Sequence, residues 1–127
     1  MGADGGKLLA HAIKAHPNYT QIAMNMFDGK SAVDMSKEGL DAGDGHIIAA
    51  AFLANHTVDS IVIGSKDKPA TIPLRELRQN SIEALDFKGK ELLAEGGIVL
   101  ASALKGNSSV TKVGQHVFDV FILFYFW

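Results

Sequence analysis

Cysteine is absent from the chain, which excludes disulfides, thiolate catalysis and cysteine-bound zinc and makes a reducing compartment, the cytoplasm, the expected setting. Charge of one sign is lacking too. Twelve basic residues stand against fourteen acidic ones, for a formal net charge of −2, and the lysines are scattered. That balance carries neither the basic footprint of a nucleic-acid-binding domain nor that of a ligand for anionic membranes. The apolar run from Val120 to Trp127 has eight residues, well short of the roughly 20 that a spanning helix needs. Met1 to Lys7 is polar and glycine-rich, so no signal peptide is expected. Gly2 invites N-myristoylation, but Gly6 stands where that motif needs Ser or Thr.

What is present is the composition of a folded protein, 47% hydrophobic and 20% charged. A chain of 127 residues fits one domain, and such a domain buries roughly two-thirds of its unfolded surface.

The sequence repeats itself. Gly6-Lys-Leu-Leu-Ala-His-Ala-Ile13, Gly45-His-Ile-Ile-Ala-Ala-Ala-Phe52 and Gly97-Ile-Val-Leu-Ala-Ser-Ala-Leu104 align at offsets of 39 and then 52 residues. The offset of 52 extends further. Ala32-Val-Asp-Met35 matches Ala84-Leu-Asp-Phe87, Leu40 matches Leu92, and Asn55, Val58 and Ile61 match Asn107, Val110 and Val113.

Leu8/Leu9 with Ala12/Ile13, Ile47/Ile48 with Ala51/Phe52, and Val99/Leu100 with Ala103/Leu104 are spaced i and i+4. Each set predicts an apolar stripe along a helix of about three turns. Asn55 and Asn107 follow these helices, where Asn suits a left-handed C-terminal turn. Val58 to Ile63 and Ile82 to Phe87 alternate as strands do. Val33 to Ile61, and Leu85 to Val113, are each 28 residues, room for a strand, a loop, a helix and a return to a parallel strand.

Ile82-x-x-Leu85-x-Phe87 and Val58-x-x-Ile61-x-Ile63, followed by the Gly-rich Leu-Ala-x-Ala-Leu helix, resemble the ribonuclease-inhibitor type of leucine-rich repeat from about Gly5 to Val113. The resemblance implies an α/β solenoid of strand–loop–helix units, with a parallel sheet on one face and helices on the other. Residues 1–113 form that incomplete array, beginning inside a repeat, and residues 114–127 depart from it. Other departures are plain. Phe27, Glu38, Lys66 and Lys90 occupy the positions where the family places Asn. The step from Ile22 to Val33 is too short for a helix and holds an Asp28-Gly29 turn; the step from Ile61 to Leu85 contains Pro69 and Pro73, with a short helix expected at Leu74 to Asn80. The apolar end, Val117 to Trp127, reads either as a closing strand or as a segment foreign to the fold, from a truncated or misread coding sequence.

No catalytic spacing emerges. Gly29-Lys30-Ser31 is similar to the end of a phosphate-binding loop, but Met24 stands where the first glycine belongs, so it reads as a turn. His11, His16, His46, His56 and His116 lack metal-ligand spacing, and His11 and His46 read as side chains flanking an apolar stripe. The sequons at Asn18, Asn55 and Asn107 lack a secretory signal, and the last two read as structural turns.

These observations lead to a non-enzymatic protein–protein interaction module or scaffold whose concave strand face binds another protein. On that face the pattern places Gln21, Asp34, Ser60, Ala84, Asp86 and Lys112. No cofactor, metal, nucleic acid, membrane span or small-molecule substrate is expected. Two alternatives stand beside it. The resemblance implies a GTPase-activating regulator like the Ran GTPase-activating proteins, and the incomplete array implies a truncated fragment without independent activity.

Overall fold

The computed structural model describes residues 2–114, so the apolar segment from Val117 lies outside the described residues. In chain order the elements are α1 (Ala3–Ala15), α2 (Tyr19–Asn25), β1 (Ala32–Asp34), α3 (Ala42–Ala54) and β2 (Ser60–Ile63). There follow β3 (Ala70–Ile72), α4 (Leu74–Arg78), β4 (Ala84–Leu85), α5 (Leu93–Lys105) and β5 (Lys112–Val113). Two β-α-β units carry the fold. In the first, β1 pairs in parallel with β2, setting Val33 opposite Ile61, and α3 makes the crossover. In the second, β4 pairs in parallel with β5, setting Leu85 opposite Val113, across α5.

The units do not join into a solenoid. Ile61 lies in a three-stranded sheet of order β1-β2-β3, whereas Leu85 and Val113 lie in a separate two-stranded sheet. The cause is local. After β2 the backbone turns at Gly64 (φ 112°) and returns as β3, antiparallel to β2, with Ile72 opposite Ile61. That hairpin occupies the edge of β2 that a stacked repeat would have offered to β4. Pro69 and Pro73 bracket β3, where a strand tolerates residues without an amide donor. The described residues thus form a small mixed α/β domain with two short sheets.

A second correction concerns α2. Gln21 was expected on a strand, but Tyr19–Asn25 is helical, because its inward residues Tyr19, Ala23 and, just beyond, Phe27 recur at helical spacing. The Tyr19 hydroxyl donates to the Ala50 carbonyl, and Phe27 stacks on Phe52 with ring centroids 4.9 Å apart. These two contacts fasten α2 to α3.

Helices α1, α3 and α5 lie side by side with α3 central. Glycine sets their separation. A Cβ on Gly6 would stand 2.3 Å from the Cα of Gly43, and one on Gly45 would stand 2.8 Å from the Cα of Glu95. Backbone therefore meets backbone at both crossings. Helix α1 consequently buries its smallest residues, Gly6 and Ala10, and leaves Leu8 74% exposed, the reverse of the stripe expected from the leucines. Helix α3 is apolar nearly all round because it packs against α1, α2 and α5: Ile48 through Phe52 are all buried. Its first turn is closed by a capping box, in which the Asp41 carboxylate accepts from the Asp44 amide and the Asp44 carboxylate accepts from the Asp41 amide.

The 52-residue offset reappears in the turns that end α3 and α5. Asn55 is fully buried; its Oδ1 accepts from the amides of Thr57 and Val58, and its Nδ2 donates to the Ala23 carbonyl at 3.0 Å. Asn107 repeats the pattern, accepting from Ser109 and Val110 and donating to Leu77. The backbone of Asn55 is extended, at φ −96° and ψ 114°, so Asn is required for its side-chain amide and not for a left-handed turn.

Two stability predictions follow from these contacts. Gly6→Ala should cost about 1–3 kcal/mol in urea denaturation, the range for overpacking a closed contact. Gly106→Ala, which meets nothing within 4 Å, should stay within about 0.5 kcal/mol. Asn55→Ala strands buried donors and an acceptor and should cost about 3 kcal/mol; half-buried Asn107→Ala should cost measurably less.

Candidate functional site

Two adjoining depressions mark the face formed by the three long helices. The first is an apolar groove of about 140 Å³ between α3, α4 and α5, walled by Ala49, Phe52, Leu74, Leu77, Val99 and Ala103. Arg78 closes one end, its guanidinium held by the carbonyls of Val58 (2.7 Å) and His56 (3.4 Å). The second is a cleft of about 260 Å³ between α1, α3 and α5. Its floor is Ala10, Ala49, Ala50 and Ile98, and its rim is Lys7, His11, Lys14 and His46, with Ser102 of α5 also lining it. Among the described residues no acidic side chain lines it. Leu53, 52% exposed, stands on the ridge and lines both depressions.

Local sequence explains the cleft. Lys7, His11 and Lys14 are spaced i, i+4 and i+7, one face of α1. Small residues at positions 10, 49 and 50 give the cleft its depth, for the same reason that Gly6 lets the helices touch. His46 is half-buried, and burial, followed by the nearby charges of Lys7 and Lys14, holds its imidazole below the ordinary value of 6.5. The cleft thus resists adding a proton to the positive charge it already has.

A third hollow, of about 240 Å³, lies where β1 and β2 end, between Ser36, Lys37, Ser65, Lys66 and Glu95. Glu95 is only 5% exposed. Its burial raises the carboxyl above the ordinary 4.5, and the charges of Asp41 and Asp44 add to the rise. Nearby, the Asp34 carboxylate accepts from both the hydroxyl and the amide of Ser36, which hold it below the usual carboxylate range.

The six residues assigned to a strand face divide into groups. Gln21 is on α2, with its amide donating to Asn25. Asp34 and Ser60 belong to the three-stranded sheet. Ala84 and Lys112 are paired across the two-stranded sheet, and Asp86 follows β4 with its carboxylate accepting from the Lys88 amide. The structure does not bring all six onto one continuous parallel sheet. Of the residues around the cleft, the sequence places His11 and His46 beside an apolar stripe and gives Lys7 and Lys14 no role; the helical spacing of Lys7, His11 and Lys14 is visible in it, but not that α3 brings His46 into the same cleft.

No family, curated protein or solved structure matches the chain. Among the described residues no group of three or more His, Asp or Glu side chains is placed to hold a metal ion, and no helix is long and apolar enough to cross a membrane.

The two shifted groups predict opposite pH effects. His46 has a depressed folded value, so the unfolded chain takes up the proton first. Its contribution to stability is full above pH 6.5 and is lost as pH falls. Thermal unfolding of His46→Gln should show a shallower decline below pH 6.5 than the parent. Glu95 has a raised folded value, so its contribution is full below pH 4.5 and is lost as pH rises through that folded value. Glu95→Gln should therefore raise the unfolding midpoint at neutral pH and leave it unchanged below pH 4.5.

Proposed function

We propose that the chain is a non-enzymatic protein-binding module, and that it docks an acidic, amphipathic helical segment of a partner across the face of α1, α3 and α5. The observation that carries this reading is the adjacency of an apolar groove and a cationic cleft, joined at exposed Leu53. A helical segment presents apolar side chains every three or four residues, and one such anchor fits the groove beside Leu53. Charge complementarity selects the rest of the segment, because its carboxylates meet Lys7 and Lys14 across a rim with no competing acid among the described residues. The same reading keeps the module in the cytoplasm, as its lack of cysteine suggests.

The test uses two synthetic amphipathic peptides with the same leucine pattern, one with glutamates and one with lysines on the polar face. The acidic peptide should perturb the amide resonances of Leu53, Ala49, Lys7 and Lys14 saturably, and the basic one should not. Leu53→Asp should weaken binding about tenfold or more, as loss of a central apolar anchor does. Equal binding of both peptides, or perturbations confined to Asp34, Ala84, Asp86 and Lys112, would refute the helical-face assignment.

A further inference from the structure

We propose that the cleft rimmed by Lys7, His11, Lys14 and His46 is a receptor for a phosphoryl group or an equivalent tetrahedral oxyanion. This rests on the docking reading and deepens it by adding a phosphoryl group to the carboxylates of the docked segment, and it is tested without any partner. The first support is the distribution of charge. Among the described residues two lysines and two histidines line the cleft, α5 contributes Ile98 and Ser102, and no carboxylate lines the walls. A single carboxylate would leave part of that charge unanswered, whereas a phosphate dianion matches the two lysines.

The second support is direction. Lys7 and Lys14 are two turns apart on α1, a rise of about 10 Å, with His11 between them and His46 facing from α3. Basic side chains from two helices, α1 and α3, therefore line the one cleft. A carboxylate offers two oxygens in one plane; a phosphoryl group offers three around a tetrahedral centre and can accept from several of these donors at once. The third support is shape. An apolar floor of Ala10, Ala49, Ala50 and Ile98 beneath a cationic rim leaves room for the carbon body that bears the phosphoryl group. Binding a dianion would also offset the repulsion that Lys7 and Lys14 exert on protonated His46, so His46 should gain proton affinity when the site is filled.

Inorganic phosphate is the first probe, titrated into the full chain at constant ionic strength while the imidazole C–H resonances are followed by NMR. The proposal expects saturable shifts at His46 and His11, a higher His46 pKa at saturation, and a loss of about tenfold in affinity for Lys14→Gln, as for removal of one charged hydrogen bond. Both altered lysine positions, Lys7→Gln and Lys14→Gln, are exposed, so the variants should keep the parent unfolding midpoint. A second arm compares phosphate with a phosphoserine peptide carrying one leucine. Tighter binding of the peptide assigns the site to a phosphorylated partner, and equal binding assigns it to a free anion. Shifts that match those from chloride, or that persist unchanged in the Lys7→Gln/Lys14→Gln double variant, would overturn the proposal. Saturable phosphate binding without binding of either amphipathic peptide would sink the docking reading and leave this one standing.

Discussion

The close crossing of helices through glycine governs the rest of this molecule. At Gly6 against Gly43, and at Gly45 against Glu95, the absence of a side chain lets backbones approach at distances that a Cβ would forbid. Helices held this close cannot interdigitate large residues where they touch, and Ile48, Phe52, Val99 and Leu100 of α3 and α5 join the hydrophobic core. The same core holds Ile61, Ile63 and Ile72 of the three-stranded sheet, all fully buried. Where the helices diverge from the crossing, small residues line the gap and long side chains reach over it. The depressions on the helical face are thus the geometric counterpart of the contacts that hold the helices together.

The electrostatics follow from the same arrangement. Lys7 and Lys14 sit on a helix brought close enough to His46 to lower its proton affinity. On the opposite crossing, Glu95 is drawn into the interior near Asp41 and Asp44, and its carboxyl shifts the other way. The helical layer therefore carries both a cationic cleft and a buried acid. Neither group finds a neutralising partner in its own depression strong enough to cancel its shift, which is a cost to stability carried by the sites and not by the core.

Much of the local structure was legible in the sequence. The alignment of Val33 with Leu85 and of Ile61 with Val113 corresponds to equivalent parallel pairings, and Asn55 and Asn107 hold equivalent turns. The assembly of these units was not legible. Antiparallel return of Ala70–Ile72 onto β2 decides which edge remains for pairing, and three residues between prolines carry too little periodicity to announce it. Helix α1 misled for a different reason. Its leucines suggested the buried face, yet proximity favoured Gly6 and Ala10, because packing at a crossing rewards small volume as well as hydrophobicity. The cleft was half legible: the spacing on α1 was in view, and its conjunction with His46 required the crossing.

The buried amide of Asn55 bears on the chemistry that this chain can accept. Asn55-His-Thr57 has the form of a glycan acceptor, but its nitrogen is wholly enclosed and donates to Ala23. A sugar linked there would need space where α2 meets the end of α3, and it would remove one of the two N–H bonds of that amide. Carbohydrate at this position and the packed form of the first unit are consequently alternatives: a chain modified before folding would be barred from closing, and a chain already closed would present nothing for the transfer.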